Sequence, residues 1–233
     1  MKLDSIPNQF VEPNGVRGMA PLPSVKLDEK YRDSLLEFDT NRDIPEEWLG
    51  TPIESFIAAQ NFGWPIQTTG KPELLVASCI EFRYALPVPR MYAYVIRRAS
   101  GRIIGSEFSV AYTMSKGVKH LVMIGHNDCG MSQLEANRQG VLDTLIEQGW
   151  SQECAEAYVA KNADRHAIDN ELDALKDEYI RVRRLFPKLT IAPLFVCLYD
   201  SKLYLPKWYH EVEPVERARA QGSVPDEVIK NLP

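Results

Sequence analysis

HLVMIGHNDCG, residues 120–130, decides the fold. Its first half, His120 to Ile124, is a short apolar run of the kind a buried strand needs, and Gly125 ends it. Its second half sets a histidine, an aspartate and a cysteine into the turn that follows. A strand apolar on both faces belongs in a parallel sheet covered by helices. Working outward, the same design repeats. Upstream, Glu73 to Ser78 (ELLVAS) is a second apolar run and leads into Cys79-Ile80-Glu81-Phe82-Arg83. Met91 to Ile96 (MYAYVI) is a third. Downstream, Thr190 to Asp200 is a fourth, containing the longest apolar stretch, Ile191 to Tyr199, and Leu203 to Leu205 fits a short edge strand.

Between these runs the spacing is helical. Ile103, Ile104, Phe108, Ala111 and Tyr112 share a face, and Gln133 to Gly149 continues in the same period. A long helical tract spans 151–186. Ile168, Leu172, Leu175, Tyr179, Val182 and Phe186 form its stripe, and Pro187 stops it. The fold class that follows is α/β: a mainly parallel β-sheet of four to five strands flanked by helices. An N-terminal arm and helices precede it, and a long helical insert comes before the last strands.

The arm is residues 1–30, where Pro7, Pro13, Pro21 and Pro23 break any period and Gly15 and Gly18 add freedom. Tyr31, Leu35, Leu36 and Phe38 then fall on one helical face. Thr51-Pro52-Ile53-Glu54 reads as a helix start: a Thr cap, a Pro in the first turn, and an acid three places after the cap. The expected organisation is an arm with helices over 1–70, packing on the body or on a dimer partner. An α/β core follows over 71–205, then a polar tail over 206–233 with a weak helical signal at Val215 to Ala220.

Composition excludes several classes. The chain has 233 residues, 45% hydrophobic and 25% charged, with net charge −5 and four cysteines. Those are ordinary values for a globular protein and rule out collagen-like, disordered and disulfide-scaffold chains. No apolar run approaches the roughly 18 residues of a membrane span. No basic stripe suggests nucleic acid. The start of the chain carries no cationic, apolar leader, so the expected compartment is cytoplasmic.

Two clusters carry the chemistry. Both lie at carboxyl ends of predicted parallel strands, where open α/β sheets bind ligands. Cys79, His126 and Cys129 supply two thiolates and an imidazole, a set that suits zinc with a fourth position open. The same residues also read as two buried thiols and a turn histidine. Glu81 and Arg83 stand two apart and point the same way in an extended segment. A carboxylate pinned by a guanidinium stays ionised and oriented, either to direct a water or simply to close a loop. Asp128 reads as a turn acceptor, and Cys154 and Cys197 as core or surface thiols. His120, His166 and His210 read as structural or exposed. Trp48, Trp64, Trp150 and Trp208 read as packing or interface residues.

Taken in order, Cys-x-acid-x-Arg, an Arg-x-Ala segment after the next strand, and Gly-His-x-x-Cys-Gly after the third resemble the β-class carbonic anhydrases. The resemblance covers roughly Leu74 to Met131. It implies Zn2+ held by Cys79, His126 and Cys129, with Glu81 and Arg83 as a catalytic acid–arginine dyad. It implies a homodimer or higher homo-oligomer with the site near the subunit boundary. The implied reaction is a lyase reaction, reversible hydration of carbon dioxide to bicarbonate by a zinc-bound hydroxide. The same zinc would also serve a hydrolase acting on carbonyl sulfide or carbon disulfide, and a drifted relative would keep zinc as a binding or assembly subunit. The chain departs from the family at Glu81, where Asp is usual; the extra methylene adds about 1.5 Å of reach. It has Arg97-Arg98-Ala99-Ser100 in place of Arg-Asn-Ala-Gly, with Gly101 one place late. The Tyr84 to Pro89 segment is short and marked by prolines, and the helical region from Met131 to Phe186 is long.

Overall fold

The computed structural model describes residues 29–219 and Lys230, so most of the predicted arm lies outside the described residues. Helix α1 (Glu29–Arg32) leads into strand β1 (Leu35–Glu37), then α2 (Pro52–Phe62), β2 (Leu74–Cys79), β3 (Ala93–Arg98), α3 (Glu107–Ser115) and β4 (His120–His126). Three helices follow, α4 (Arg138–Glu147), α5 (Gln152–His166) and α6 (Glu171–Leu185). β5 (Thr190–Val196), β6 (Leu203–Pro206) and α7 (Tyr209–Arg219) complete the order. No helix among the described residues is long and apolar enough to cross a membrane.

The six strands form one sheet in the order β1-β6-β5-β4-β2-β3. β3, β2, β4 and β5 run parallel, while β6 and β1 are antiparallel. The mainly parallel sheet is as expected, with one strand more. Every residue of β2 is buried, as a strand covered on both faces must be. The chain leaves β2 for β3 on one side and returns to β4 on the other, so the topology switches between β2 and β4. The crevice at such a point lies outside the carboxyl ends of the strands. Register makes the site local: Ser78 pairs with Ile124, so Cys79 and His126 end neighbouring strands about one residue apart in height. Adjacent strands are only about 4.8 Å apart.

Several boundaries differ from the sequence pattern for physical reasons. Tyr31, Leu35, Leu36 and Phe38 do not share a helix: α1 stops at Arg32, and Leu35 pairs with Pro206 across an antiparallel ladder. Sheet pairing wins there over a short ambiguous period. β1 therefore takes the edge expected for Leu203 to Leu205. Ile103 and Ile104 precede α3 instead of lying in it; Gly105, at φ +79°, ends the loop that holds them. Only Arg138–Glu147 of the stretch 133–149 is α-helix, after a 3-10 turn at Gly130–Gln133.

The tract 151–186 is two helices. The break between them holds Ile168, and Asn170 starts α6 by accepting hydrogen bonds from the Leu172 and Asp173 N–H groups. The Thr51 cap of α2 is present, accepting from Ile53 N–H. Glu54 binds the N–H of Gly50 instead of that of the cap residue.

The tail carries a full helix. On α7 the buried residues are Tyr209, Glu213 and Glu216, so two of its three core positions are acids. Glu213 meets Arg183 and Arg217, and Glu216 meets Arg184 and Arg219. A hydrophobic period could not show a face that packs through ions.

Candidate metal centre

β2 delivers Cys79 and β4 delivers His126; the turn after β4 brings round Cys129. All three are buried, and one donor atom from each lies within 4.8 Å of the others. The two Sγ atoms are 3.9 Å apart. Two thiolates bonded tetrahedrally to one zinc at about 2.3 Å stand about 3.8 Å apart, whereas a disulfide closes to about 2.0 Å.

The imidazole is set for the same role. Its Nδ1 lies 3.0 Å from the Asn127 carbonyl oxygen, which can only accept, so Nδ1 carries the proton. That leaves the Nε2 lone pair free, and Nε2 is buried without a hydrogen-bond partner. An orphaned nitrogen facing two close sulfurs is what a metal site needs and what a packed core avoids. The donor set and its spacing therefore fit zinc. The Cys79 thiol lies well below its usual range, chiefly through the hydrogen bond its sulfur shares with Cys129 and against the opposing effect of burial; the same contact, with burial, holds Cys129 high. Cys79, Cys129 and Ile168 form one buried cluster, with Met131 and Ala174 packed against it.

Glu81 and Arg83 form a tight pair despite the longer acid. Glu81 Oε1 accepts from Arg83 Nε at 2.7 Å and from its backbone N–H at 2.8 Å, while Oε2 accepts from Nη2 at 2.8 Å. The Glu81 side chain is 7% exposed. The Arg83 hydrogen bonds hold its carboxyl below the usual range against the opposing effect of burial. Phe82, between them, points out and is 90% exposed.

Arg83 also crosses to the other loop. Its Nη1 donates to Asp128 Oδ2 at 2.6 Å and its Nη2 to the Asp128 carbonyl at 2.9 Å. One guanidinium thus ties the loop after β2 to the loop after β4. Asp128 is a turn acceptor, as expected, and its partner is this arginine.

Arg97 donates to the carbonyls of Cys79, Glu81 and Tyr84, fixing the backbone that carries Cys79. Arg98 donates to Ser106 Oγ. Gly101, at φ +71°, lies so close that a Cβ would stand 3.1 Å from the Ile124 carbonyl oxygen. The glycine one place late is thus required where it is, and Ser100 before it takes φ +61°.

Sequence reasoning missed two contributors. Asn127 is buried, and its Oδ1 accepts from Leu198 N–H at 2.8 Å, locking the loop after β4 to the exit of β5. Glu171 accepts from Cys129 N–H at 3.3 Å. Glu171 looks like any first-turn acid, so no pattern singles it out. Cys154 is exposed and Cys197 buried, and neither joins the cluster. Trp48 is fully buried, whereas Trp64 is 52% exposed.

No family model and no curated protein matches the sequence. Solved structures do. The chain is similar to β-carbonic anhydrase isoform I of the protozoan Trichomonas vaginalis, at 19% identity over 69% of this chain and 96% of that one, TM-score 0.49. It is similar to a carbonic anhydrase of Glaciozyma antarctica, at 20% identity over 69% of this chain and 98% of that one, TM-score 0.46. It is also similar to a carbon disulfide hydrolase, at 21% identity over 61% of this chain and 84% of that one, TM-score 0.42. The solved chains it resembles are thus mainly β-carbonic anhydrases, and its own sequence is divergent from theirs.

Proposed function

We propose that this protein is a divergent zinc enzyme of the β-carbonic anhydrase type that hydrates carbon dioxide reversibly to bicarbonate. One observation carries the reading. Two buried sulfurs 3.9 Å apart converge with an imidazole Nε2 that has no other partner. Cys79 Sγ, His126 Nε2 and Cys129 Sγ would hold the metal. Zinc bound there supplies a Lewis acid that makes water nucleophilic near neutral pH.

The chain's own residues do the rest. Glu81, kept ionised by Arg83, can only accept hydrogen bonds, so it takes the O–H of a nearby water and turns an oxygen lone pair toward the substrate. Arg83 positions that carboxylate and, through Asp128, the Cys129 turn. Ile168 and Met131 make the wall beside the sulfurs apolar, which suits an uncharged linear triatomic. Carbonyl sulfide and carbon disulfide fit that wall equally, so they belong in the same assay. We also read the chain as a homo-oligomer. Phe82 and Ile80, exposed beside the site, are the surface a second copy would cover.

The test is elemental analysis of the purified protein with stopped-flow hydration of carbon dioxide, repeated for the two sulfur gases as hydrolysis. About one zinc per chain and turnover above free zinc are expected. Protein that takes up no zinc rejects the reading. Zinc without turnover of any of the three gases leaves a zinc-binding subunit and removes the enzyme.

A further inference from the structure

One peptide unit next to the metal centre is held from both sides. The carbonyl of Asp128 accepts from Arg83 Nη2 at 2.9 Å, and the N–H of Cys129, in the same peptide plane, donates to Glu171 Oε1 at 3.3 Å. Arg83 comes from the loop after β2 and Glu171 from the first turn of α6. Two elements far apart in the chain therefore grip one plane.

That plane needs holding. Asp128 sits at φ +54°, in the left-handed region that residues other than glycine enter at a cost. If the peptide rotates, the Cα of Cys129 turns with it, and Sγ swings away from Cys79 and His126. Glu171 is suited to hold it. The residue is 6% exposed, and its second oxygen is taken by the Tyr31 hydroxyl, so its carboxylate cannot wander. The short helix that carries Tyr31 is thereby joined to the metal loop through one acid.

We propose that Glu171 is a positioning residue: with Arg83 it clamps the Asp128–Cys129 peptide and so aims the Cys129 sulfur at the metal site. The consequence for metal affinity rests on the zinc reading above; the clamp itself does not. Two measurements separate them.

In metal-free protein, exchange of the Cys129 amide proton, followed by NMR, speeds up by about tenfold or more in Glu171→Ala. In Glu171→Gln it stays near the wild-type rate, because the amide oxygen still accepts. Glu171→Asp keeps the charge but withdraws the oxygen by about 1.5 Å and exchanges like the alanine variant. It also serves if Glu171→Ala does not fold.

Zinc affinity, by competition with a chelator, follows the same order. It is weakened about 10- to 100-fold in Glu171→Ala and Glu171→Asp and stays within about threefold of wild type in Glu171→Gln. A Cys129 amide that exchanges equally in wild type and Glu171→Asp overturns the clamp, as does a Gln variant damaged as much as Ala. Normal exchange behaviour with unchanged zinc affinity in the Asp variant removes the aiming role. A wild-type protein that binds no zinc rejects the zinc reading, and the exchange rates still judge the clamp.

Discussion

The loops at the ends of β2 and β4 and the seam between α6 and α7 are built from the same parts. Each buries carboxylates against guanidinium groups. At the seam, Glu213 takes Arg183 Nη2 at 3.2 Å and Arg217 Nη2 at 2.5 Å, and Glu216 takes Arg184 Nε at 2.7 Å. Tyr179 gives its hydroxyl to Glu213 as well. Most of the donors that face these acids are spent; Arg183 Nε stays buried without a partner, but it can only donate, and nothing at the seam among the described residues offers an unpaired nitrogen or sulfur lone pair to a ligand. At the strand ends, Glu81 and Arg83 satisfy each other in the same way, yet beside them one imidazole nitrogen is unpaired and two sulfurs have each other as hydrogen-bond partner. Charge pairs alone therefore do not mark a functional site. What marks it is a buried, unpaired nitrogen lone pair converging with two thiols, because such a set lacks a partner that a cation would supply, whereas the unpaired Arg183 Nε is a lone donor.

The contrast breaks most sharply with Cys129→Ser. Loss of one thiolate removes zinc retention outright, while the metal-free melting temperature stays close to wild type; zinc content after dialysis and a thermal melt give both readings. Glu213→Ala does the reverse. It strands Arg183, which is 2% exposed, without its acid. Removing one partner of such a buried pair costs about 3–5 kcal/mol. For a domain of this size that lowers the melting temperature by roughly 6–20 °C. Zinc per folded chain stays unchanged. If Cys129→Ser also melted far below wild type, or Glu213→Ala lost its metal, the two regions would not be separable in this way.

The strand ends were far more legible than the seam, for the same reason that they differ. β2, β4 and β5 are apolar on both faces, so their runs stand out in composition alone. The chemistry of Cys79, His126 and Cys129 lies in residue types that have few other uses together, and parallel neighbours bring distant residues to one height. α7 was nearly hidden because its buried positions include Glu213 and Glu216. β1 was hidden because three residues, Leu35–Glu37, owe their conformation to a ladder with β6, some 170 residues away along the chain. The break at Ile168 was hidden because the stripe keeps its period across it. Glu171 was invisible for another reason: it acts through a backbone N–H, and backbone groups carry no residue code.

Arg83→Ala sharpens the comparison from inside the site. It removes the partner of Glu81 and one hand of the grip on Asp128, but none of the three donor atoms. Zinc affinity changes by about tenfold at most. Turnover in the hydration assay falls about 100-fold, the scale expected when an orienting group moves by about 1 Å. Lost metal would instead place Arg83 among the supports of the zinc site alone. Unchanged turnover would remove the dyad from the mechanism.

The smallest effect is a pH dependence at the seam. Hydrogen bonds from Arg184 hold the Glu216 carboxyl below its usual range, with burial opposing and Arg219 assisting. A carboxyl depressed in the folded state contributes stability that is fully present above its unfolded pKa, about 4.3, and is lost as pH falls through the folded value. Glu216→Gln lacks that contribution at every pH. Denaturation midpoints should therefore lie below wild type at pH 6, and the gap should narrow as the pH is lowered past about 4 toward 3. A gap that stayed constant over that range would mean that Glu216 contributes through packing and neutral hydrogen bonds. The seam would then be no more ionic in its energetics than the apolar core it adjoins.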